Sequence, residues 1–211
     1  MAKSNGNEMI KLGGILFAIT LLAGLLLGVV YEVTKELRKI QQERLVQEAC
    51  IAAFPEAKAQ GKALQFTAIE AVPSQETLSA LAETMVEIGT VYEAKADDVF
   101  YGYVVEAISA KGYGGKIVLY VGVTADGTVG GVSITEISET PGLGMEAPSV
   151  LVPQFAGRKV TEFTYTKKGA VAENEVDAIS SATITTRAVT NAVNGGLKMA
   201  LELLEGGTLH E

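Results

Sequence analysis

A run of twenty uncharged residues near the amino terminus constrains this chain more than any other feature of its sequence. It extends from Leu12 to Tyr31 and reads LGGILFAITLLAGLLLGVVY. A helix of this length spans about 30 Å, the thickness of a bilayer's hydrocarbon core. We therefore predict a transmembrane helix over residues 12–31, preceded by a short tail, residues 1–11. A cleaved signal peptide is the alternative, but no small-residue cleavage motif closes the run.

The charges around the predicted span do not decide its orientation. Lys3 and Lys11 precede it, and four basic residues follow it: Lys35, Arg38, Lys39 and Arg44. Charge bias also loses its influence when a long domain follows the span. Gly24 and Gly28 form a G-x-x-x-G pair. Such a pair can let another membrane helix approach closely, but glycine is also common in membrane helices that make no such contact.

The composition excludes several classes of function. The net charge is −8, from 17 basic and 25 acidic residues, and no clustered basic surface for nucleic acid is indicated. The chain has one cysteine, Cys50, and one histidine, His210. Neither an intrachain disulfide nor a Cys/His metal site is therefore expected, and a Ser-His-Asp triad is equally unexpected. No acidic spacing of the EF-hand type occurs, so we predict no metal.

The segment after the span continues as a helix by its residue pattern. Residues 32–54 contain no proline or glycine, and Val33, Leu37 and Ile40 recur at helical spacing. We predict a juxtamembrane stalk helix over residues 32–54, which Pro55 ends. A short helix is predicted over residues 75–88, whereas the mixed stretch 61–75 is assigned to no element.

From Phe100 onward, short β-rich runs alternate with glycines. Asp126-Gly127 between apolar alternations predicts a hairpin that pairs residues 117–123 with residues 128–137. A further strand is predicted over residues 159–165, and an amphipathic helix over residues 185–204. The predicted fold class is α+β: after the membrane and stalk helices, a domain over residues 55–207 forms an antiparallel sheet with a C-terminal helix packed on it.

Five hydroxyl side chains crowd the entrance of this last helix, in the stretch DAISSATITT over residues 177–186. One interpretation is helix capping, since serine and threonine accept hydrogen bonds from the unpaired N–H groups of a first turn. The other is an anion site, because the same N–H groups and the helix dipole favour a phosphate. Composition alone favours capping.

The order of these residues resembles the acceptor motif of covalently flavinylated FMN-binding domains, D-x-x-(S/T)-G-A-T. Asp177, Ser180, Ala182 and Thr183 match that motif, and Ser181 stands where it usually has glycine, a position at which close backbone approach can matter. The resemblance implies that a flavin transferase joins the FMN phosphate to Thr183. The product is a phosphoester, which also makes the chain a phosphoprotein. Thr185 and Thr186 are weaker candidates as acceptors.

Two further stretches resemble the same family. Residues 138–144, SETPGLG, resemble its E-T-P-G-L-G loop, and Pro141-Gly142 also predicts a tight turn. Residues 111–117, KGYGGKI, resemble the G-Y-G-G segment before a core strand. The resemblance places a flavin ring against the loop 138–144, through Glu139, Thr140, Gly142 and Leu143. In the segment 111–117, Gly112, Tyr113 and Gly114 are weaker candidates for contact with the flavin. Ser180 and Ser181 are expected near the phosphate, whereas Lys167, Lys168 and Arg187 are interpreted as solvated surface charge.

Together these motifs and the single span resemble the G subunit of the Rnf electron-transport complex, with the C subunit of the sodium-pumping NADH:quinone oxidoreductase as a related alternative. The resemblance implies an electron carrier with covalent FMN, no catalytic side chain of its own, and other Rnf subunits and a flavin transferase as partners. It implies a single-pass protein of the cell membrane, with a cytoplasmic tail and an extracytoplasmic domain. The complex couples ferredoxin:NAD+ oxidoreduction to Na+ or H+ export.

Two other classes of function remain open from the residues alone. A non-redox membrane anchor predicts that the hydroxyl cluster is only a helix cap and that no flavin is present. A stand-alone membrane-tethered flavin reductase predicts a substrate pocket with convergent polar groups, for which the sequence gives no sign.

Overall fold

The computed structural model describes residues 6–206, and the side chains of residues 9–206. The predicted tail therefore lies partly outside the described residues, as do Lys3 and His210. The first element is a single helix, α1, Gly6–Ala52. It contains the one stretch among the described residues that is long and apolar enough to cross a membrane, with a mean hydropathy of 2.5 and none of its apolar window buried.

Within the described residues, 45–206 form one compact unit, separate from the unit that ends at Arg44. Its centre is an antiparallel sheet with the strand order β1-β2-β3-β4-β5. The strands are β1 Leu64–Ile69, β2 Val86–Ala96, β3 Val99–Ser109, β4 Ile117–Thr124 and β5 Val129–Glu136. The predicted α+β fold and the β4–β5 hairpin are confirmed, with residues 118–123 of β4 paired to residues 129–136 of β5.

Both faces of the sheet are covered: side chains alternate between the two faces along each strand, and β4 is apolar and buried over residues 117–123. On one face, strand residues such as Leu119 and Val121 pack against helix α4, Thr183–Gly206, through Val193 and Leu197. On the opposite face, Tyr120 and its neighbours pack against the end of α1 and the residues after it: Ala49, Cys50, Ala53 and Phe54. The end of the predicted stalk is thus part of the folded domain's core.

Two short α-helices belong to the same unit, α2, Pro55–Ala59, and α3, Gln75–Thr84, and three helical turns follow one another over residues 144–154. The predicted helix over residues 75–88 is correct in its start, where the Ser74 hydroxyl accepts the Thr77 N–H, but the observed helix ends four residues earlier. Met85 adopts the left-handed conformation (φ 52°, ψ 46°) that terminates helices. Val86 then begins β2 instead of extending the helix.

Strand β6, Thr164–Thr166, pairs in parallel with β7, Glu175–Asp177. The strand predicted over residues 159–165 therefore overlaps the observed one by only two residues. The difference has a physical cause, since the Asn194 side chain accepts the Phe163 N–H at 2.8 Å and donates to the Phe163 carbonyl at 2.9 Å. That backbone is satisfied by a side chain of α4 and needs no strand partner.

Glycines in β4 and β5 let the end of α1 approach the sheet backbone. A Cβ on Gly122 would collide with the carbonyl oxygen of Ala53 and lie 2.9 Å from its carbonyl carbon. A Cβ on the opposing Gly131 would lie 3.0 Å from Cδ of Pro55. Only glycine at these two positions lets Ala53 and Pro55 pack this closely against the sheet.

Cys50 belongs to the same packed cluster as Ala53 and is fully buried. Burial, and then the nearby charge of Glu106, raise the pKa of its thiol to about 12. Since the thiolate is the reactive form, we expect native protein at pH 8 to resist alkylation by iodoacetamide, and protein in denaturant to react fully. Mass spectrometry of the intact chain measures both states, and rapid labelling of the native chain would contradict the packing described here.

Candidate functional site

The three segments singled out in the sequence meet at one cleft of about 530 Å³ beside the start of α4. The residues that line it come from the loop before β4, the loop after β5, and the first turn of α4 together with the two residues before it: Tyr113, Glu139, Thr140, Leu143, Gly144, Ser181, Ala182, Thr183, Ile184 and Thr185. The cleft is thus assembled by the sheet, which places loops far apart in sequence beside one helix end.

Glu139 joins these segments. Its side chain is nearly buried, with 8% of its surface exposed. One carboxylate oxygen accepts the Thr185 hydroxyl at 2.8 Å, and the other accepts the Gly114 N–H at 3.3 Å. Gly112 and Gly144 leave room for it, because a Cβ on them would lie 2.6 Å and 2.8 Å, respectively, from a Glu139 carboxylate oxygen. Glu139 therefore connects the segment 111–117 to the first turn of α4 by hydrogen bonds.

The loop that carries Glu139 begins with the predicted tight turn. The Thr140 carbonyl accepts the N–H groups of Leu143 at 3.1 Å and Met145 at 3.2 Å. Gly142, third residue of the turn, has φ +73°, as a type II turn after proline requires. Gly142 itself is exposed and lies outside the cleft lining, whereas the turn presents Leu143 to it.

A second turn leads into α4 and explains the glycine of the motif. The Ala182 N–H donates to the Ile179 carbonyl at 3.1 Å, and Ser181 inside this turn has φ +61°. The left-handed region costs an ordinary L residue about 1–2 kcal/mol and glycine little. The left-handed backbone at this position is therefore a reason to expect glycine there, in addition to the close approach expected from the sequence.

Ser181→Gly is expected to stabilise the chain by about 0.5–1 kcal/mol, since relief of the strain exceeds the added freedom of the unfolded glycine. Ser180→Gly is the matched control, because Ser180 precedes it in the same turn with a negative φ. The control should be neutral or destabilising. Thermal unfolding of the full chain in detergent measures both, and a lower midpoint for Ser181→Gly would contradict the strain.

The hydroxyls near the start of α4 differ in their availability. Thr185 is buried and donates to Glu139. Thr186 is buried, donates to the Ala182 carbonyl at 3.0 Å and accepts the Ile179 N–H at 3.1 Å. Thr183 is half-buried at the cleft, and its hydroxyl forms no hydrogen bond with residues 6–206. Among the three threonines considered as acceptors, Thr183 alone presents an uncommitted hydroxyl.

The first turn of α4 also has unpaired donors. A helix leaves its first N–H groups without intrahelical partners. Here the described residues supply no side-chain acceptor to the N–H groups of Thr183, Ile184 or Thr185. No hydroxyl of the cluster caps these three N–H groups, so this helix end offers both hydrogen-bond donors and open space to an anion.

Some of the predicted residues lie away from the cleft lining. The Asp177 carboxylate accepts the Ala170 N–H at 2.7 Å and so fixes the turn before β7. Ser180 is exposed outside the lining, as are Lys167, Lys168 and Arg187. Gly144 and Ile184 also line the cleft; both lie within the stretches 138–144 and 177–186, but the sequence analysis gave neither a role.

Comparison with known proteins gives consistent matches. A model of the FMN-binding domain family matches residues 112–198. The chain is 34% identical over 195 residues to the G subunit of the Na(+)-translocating ferredoxin:NAD(+) oxidoreductase complex of Acetobacterium woodii, covering 90% of each chain. It is 38% identical over 141 residues to the G subunit of the ion-translocating oxidoreductase complex of Escherichia coli, covering 59% of this chain and 66% of that one.

A solved structure shows the same fold. It is the C subunit of the Na(+)-translocating NADH-quinone reductase from Parabacteroides distasonis, with a TM-score of 0.56 and 23% identity. The match covers 80% of this chain and 96% of that chain. The sheet and C-terminal helix described above are therefore an architecture that another protein also adopts.

Proposed function

Because the chain belongs to the family of G subunits of the Rnf ion-translocating oxidoreductase complexes, we propose that it is an electron-carrying flavoprotein subunit of such a complex, with FMN linked covalently to Thr183. The complex exchanges electrons between ferredoxin and NAD+ and couples this flow to Na+ or H+ translocation. The observation that carries the covalent assignment is the uncommitted Thr183 hydroxyl in the cleft.

The residues of the cleft suit an FMN. A phosphate esterified to Thr183 lies at the amino-terminal end of α4, where unpaired N–H groups and the helix dipole stabilise negative charge. Tyr113, Leu143 and Ile184 offer aromatic and apolar surface for a ring system. A volume of about 530 Å³ is within the range of small-molecule sites.

FMN, once bound, supplies the redox chemistry, and the protein supplies attachment, orientation and electrostatics. The Thr183 oxygen holds the phosphate by a covalent bond, so an open cleft does not lose its cofactor to dilution. Glu139 fixes the first turn of α4 and the loop at Gly114 relative to each other. An electron carrier needs no general acid, base or nucleophile of its own.

For the location of the protein, we propose that α1 anchors it in the cell membrane as a single span, with residues 1–11 in the cytoplasm and the domain extracytoplasmic. The apolar window of α1 supports the anchor. The partners are then the other membrane and peripheral Rnf subunits, and a flavin transferase that must reach Thr183.

The test is peptide mass spectrometry on full-length protein from its own host or from one that expresses the transferase. Trypsin cleavage after Lys168 and Arg187 releases residues 169–187, which contain all five hydroxyls of the cluster. We expect a mass increment of FMN less water, and fragment ions that place it on Thr183. An unmodified peptide, from cells whose transferase modifies a control substrate, would favour the non-redox anchor instead.

A further inference from the structure

Glu139 brings an uncompensated charge into the cleft. It is the one carboxylate among the lining residues, and none of the others is Lys, Arg or His. Glu139 forms no ion pair with any residue in the described range 9–206. A nearly buried charge is poorly screened by water and salt, so it acts strongly on whatever occupies the cleft.

In its two hydrogen bonds the Glu139 carboxylate is the acceptor. An ionised carboxylate only accepts hydrogen bonds. Each oxygen of Glu139 faces a donor, the Thr185 hydroxyl on one side and the Gly114 N–H on the other. Both hydrogen bonds hold the carboxylate in place at the wall of the cleft.

We propose that Glu139 lowers the midpoint potential of the flavin bound in this cleft, an inference that rests on the function proposed above. Reduction adds electrons to the flavin ring, and a fixed negative charge nearby opposes that addition. Glu139 is then a positioning residue that also tunes the cofactor: the carboxylate that holds α4 and the loop before β4 makes the flavin a stronger reductant.

Glu139→Gln separates charge from geometry. The glutamine amide oxygen accepts the Gly114 N–H, and its NH₂ group donates to the Thr185 hydroxyl, which can accept as well as donate. The network is therefore preserved while the charge is removed. We expect the midpoint potential of the flavinylated full chain in detergent, measured by spectroelectrochemical titration at one pH, to become more positive than that of the wild type.

Two variants serve as controls for this measurement. Glu146→Gln removes a carboxylate from the same loop, but Glu146 is exposed and outside the cleft lining, so the potential should not change. Glu139→Asp keeps the charge and disturbs the hydrogen bonds, so its potential should stay nearer to that of the wild type than the Gln variant's.

The outcomes separate this inference from the proposed function. Absence of covalent flavin on the wild-type chain overturns the proposed function itself. With flavin present, an unchanged or more negative potential in Glu139→Gln overturns only the tuning role. An equal positive shift in Glu139→Asp assigns the effect to geometry, and loss of flavin uptake in Glu139→Gln assigns Glu139 to attachment; either result also overturns it.

Discussion

Replacement of Thr183 by valine is expected to abolish covalent flavin and leave the fold intact. Valine has nearly the shape of threonine and the same branched Cβ, so the helix start keeps its packing. The Thr183 hydroxyl makes no hydrogen bond with the described residues, and its removal leaves no partner unsatisfied. Flavin fluorescence of the denatured chain in a gel, together with intact mass, measures the loss.

Thr185→Val is the matched control for this prediction. It removes a hydroxyl two residues away, so covalent flavin should persist. It also deprives the nearly buried Glu139 of a donor, which should lower the free energy of unfolding by about 1–3 kcal/mol. Fluorescence retained in Thr183→Val and lost in Thr185→Val would move the attachment site to Thr185.

The second large effect is expected at Gly122, where the sheet meets the end of α1. Gly122→Ala places a methyl group against the Ala53 carbonyl, and backbone on both sides must shift. Overpacking of this kind costs about 1–3 kcal/mol. Because Cys50 lies in the same packed cluster, the displacement should also open its thiol to solvent.

The rate of Cys50 alkylation in full-length protein is the direct measurement. We expect faster labelling in Gly122→Ala than in wild type, and a smaller increase in Gly131→Ala, whose Cβ would meet Pro55 Cδ at 3.0 Å and need only a slight adjustment. Equal protection in all three proteins would show that this glycine contact does not hold the helix end in place.

The parts of the fold that the sequence predicts correctly are those with an unbroken local period. The stripe of Val189, Val193 and Leu197 predicts α4, and Asp126-Gly127 predicts the β4–β5 turn. Asp126 fixes that turn by accepting the hydroxyls of Thr124 at 2.5 Å and Thr128 at 2.8 Å, which lower its pKa to about 2. Each signal depends on neighbours a few residues apart.

Strands β1 and β2 are not predicted by the sequence pattern, and β2 shows why. Val86 and Ile88 alternate in the usual way, but the register shifts between Ile88 and Val91, so the buried series resumes at Val91. This irregularity breaks the period of two that identifies a strand. Strand β1 is short and lies at the sheet edge, and its alternation of half-buried and exposed residues runs only from Leu64 to Thr67, so its signal is weak.

For the site, sequence order predicts which segments matter but not how they connect. The bond from Thr185 to Glu139 joins residues 46 positions apart, and nothing in the local sequence indicates it. Asp177 belongs to the acceptor motif, yet its carboxylate binds the Ala170 N–H and not the cleft. The positive φ of Ser181 likewise depends on the turn from Ile179 to Ala182.

The fixed start of α4 has a consequence for the speed of electron transfer. Its first turns are held by Glu139 through Thr185, by Ile179 through Thr186, and by the buried helix face behind them. Dipoles that are already fixed need little rearrangement when the charge beside them changes. For a flavin bound there as proposed, we expect the protein's own contribution to the reorganisation energy to be small, so that each gain or loss of an electron requires little movement of the helix start.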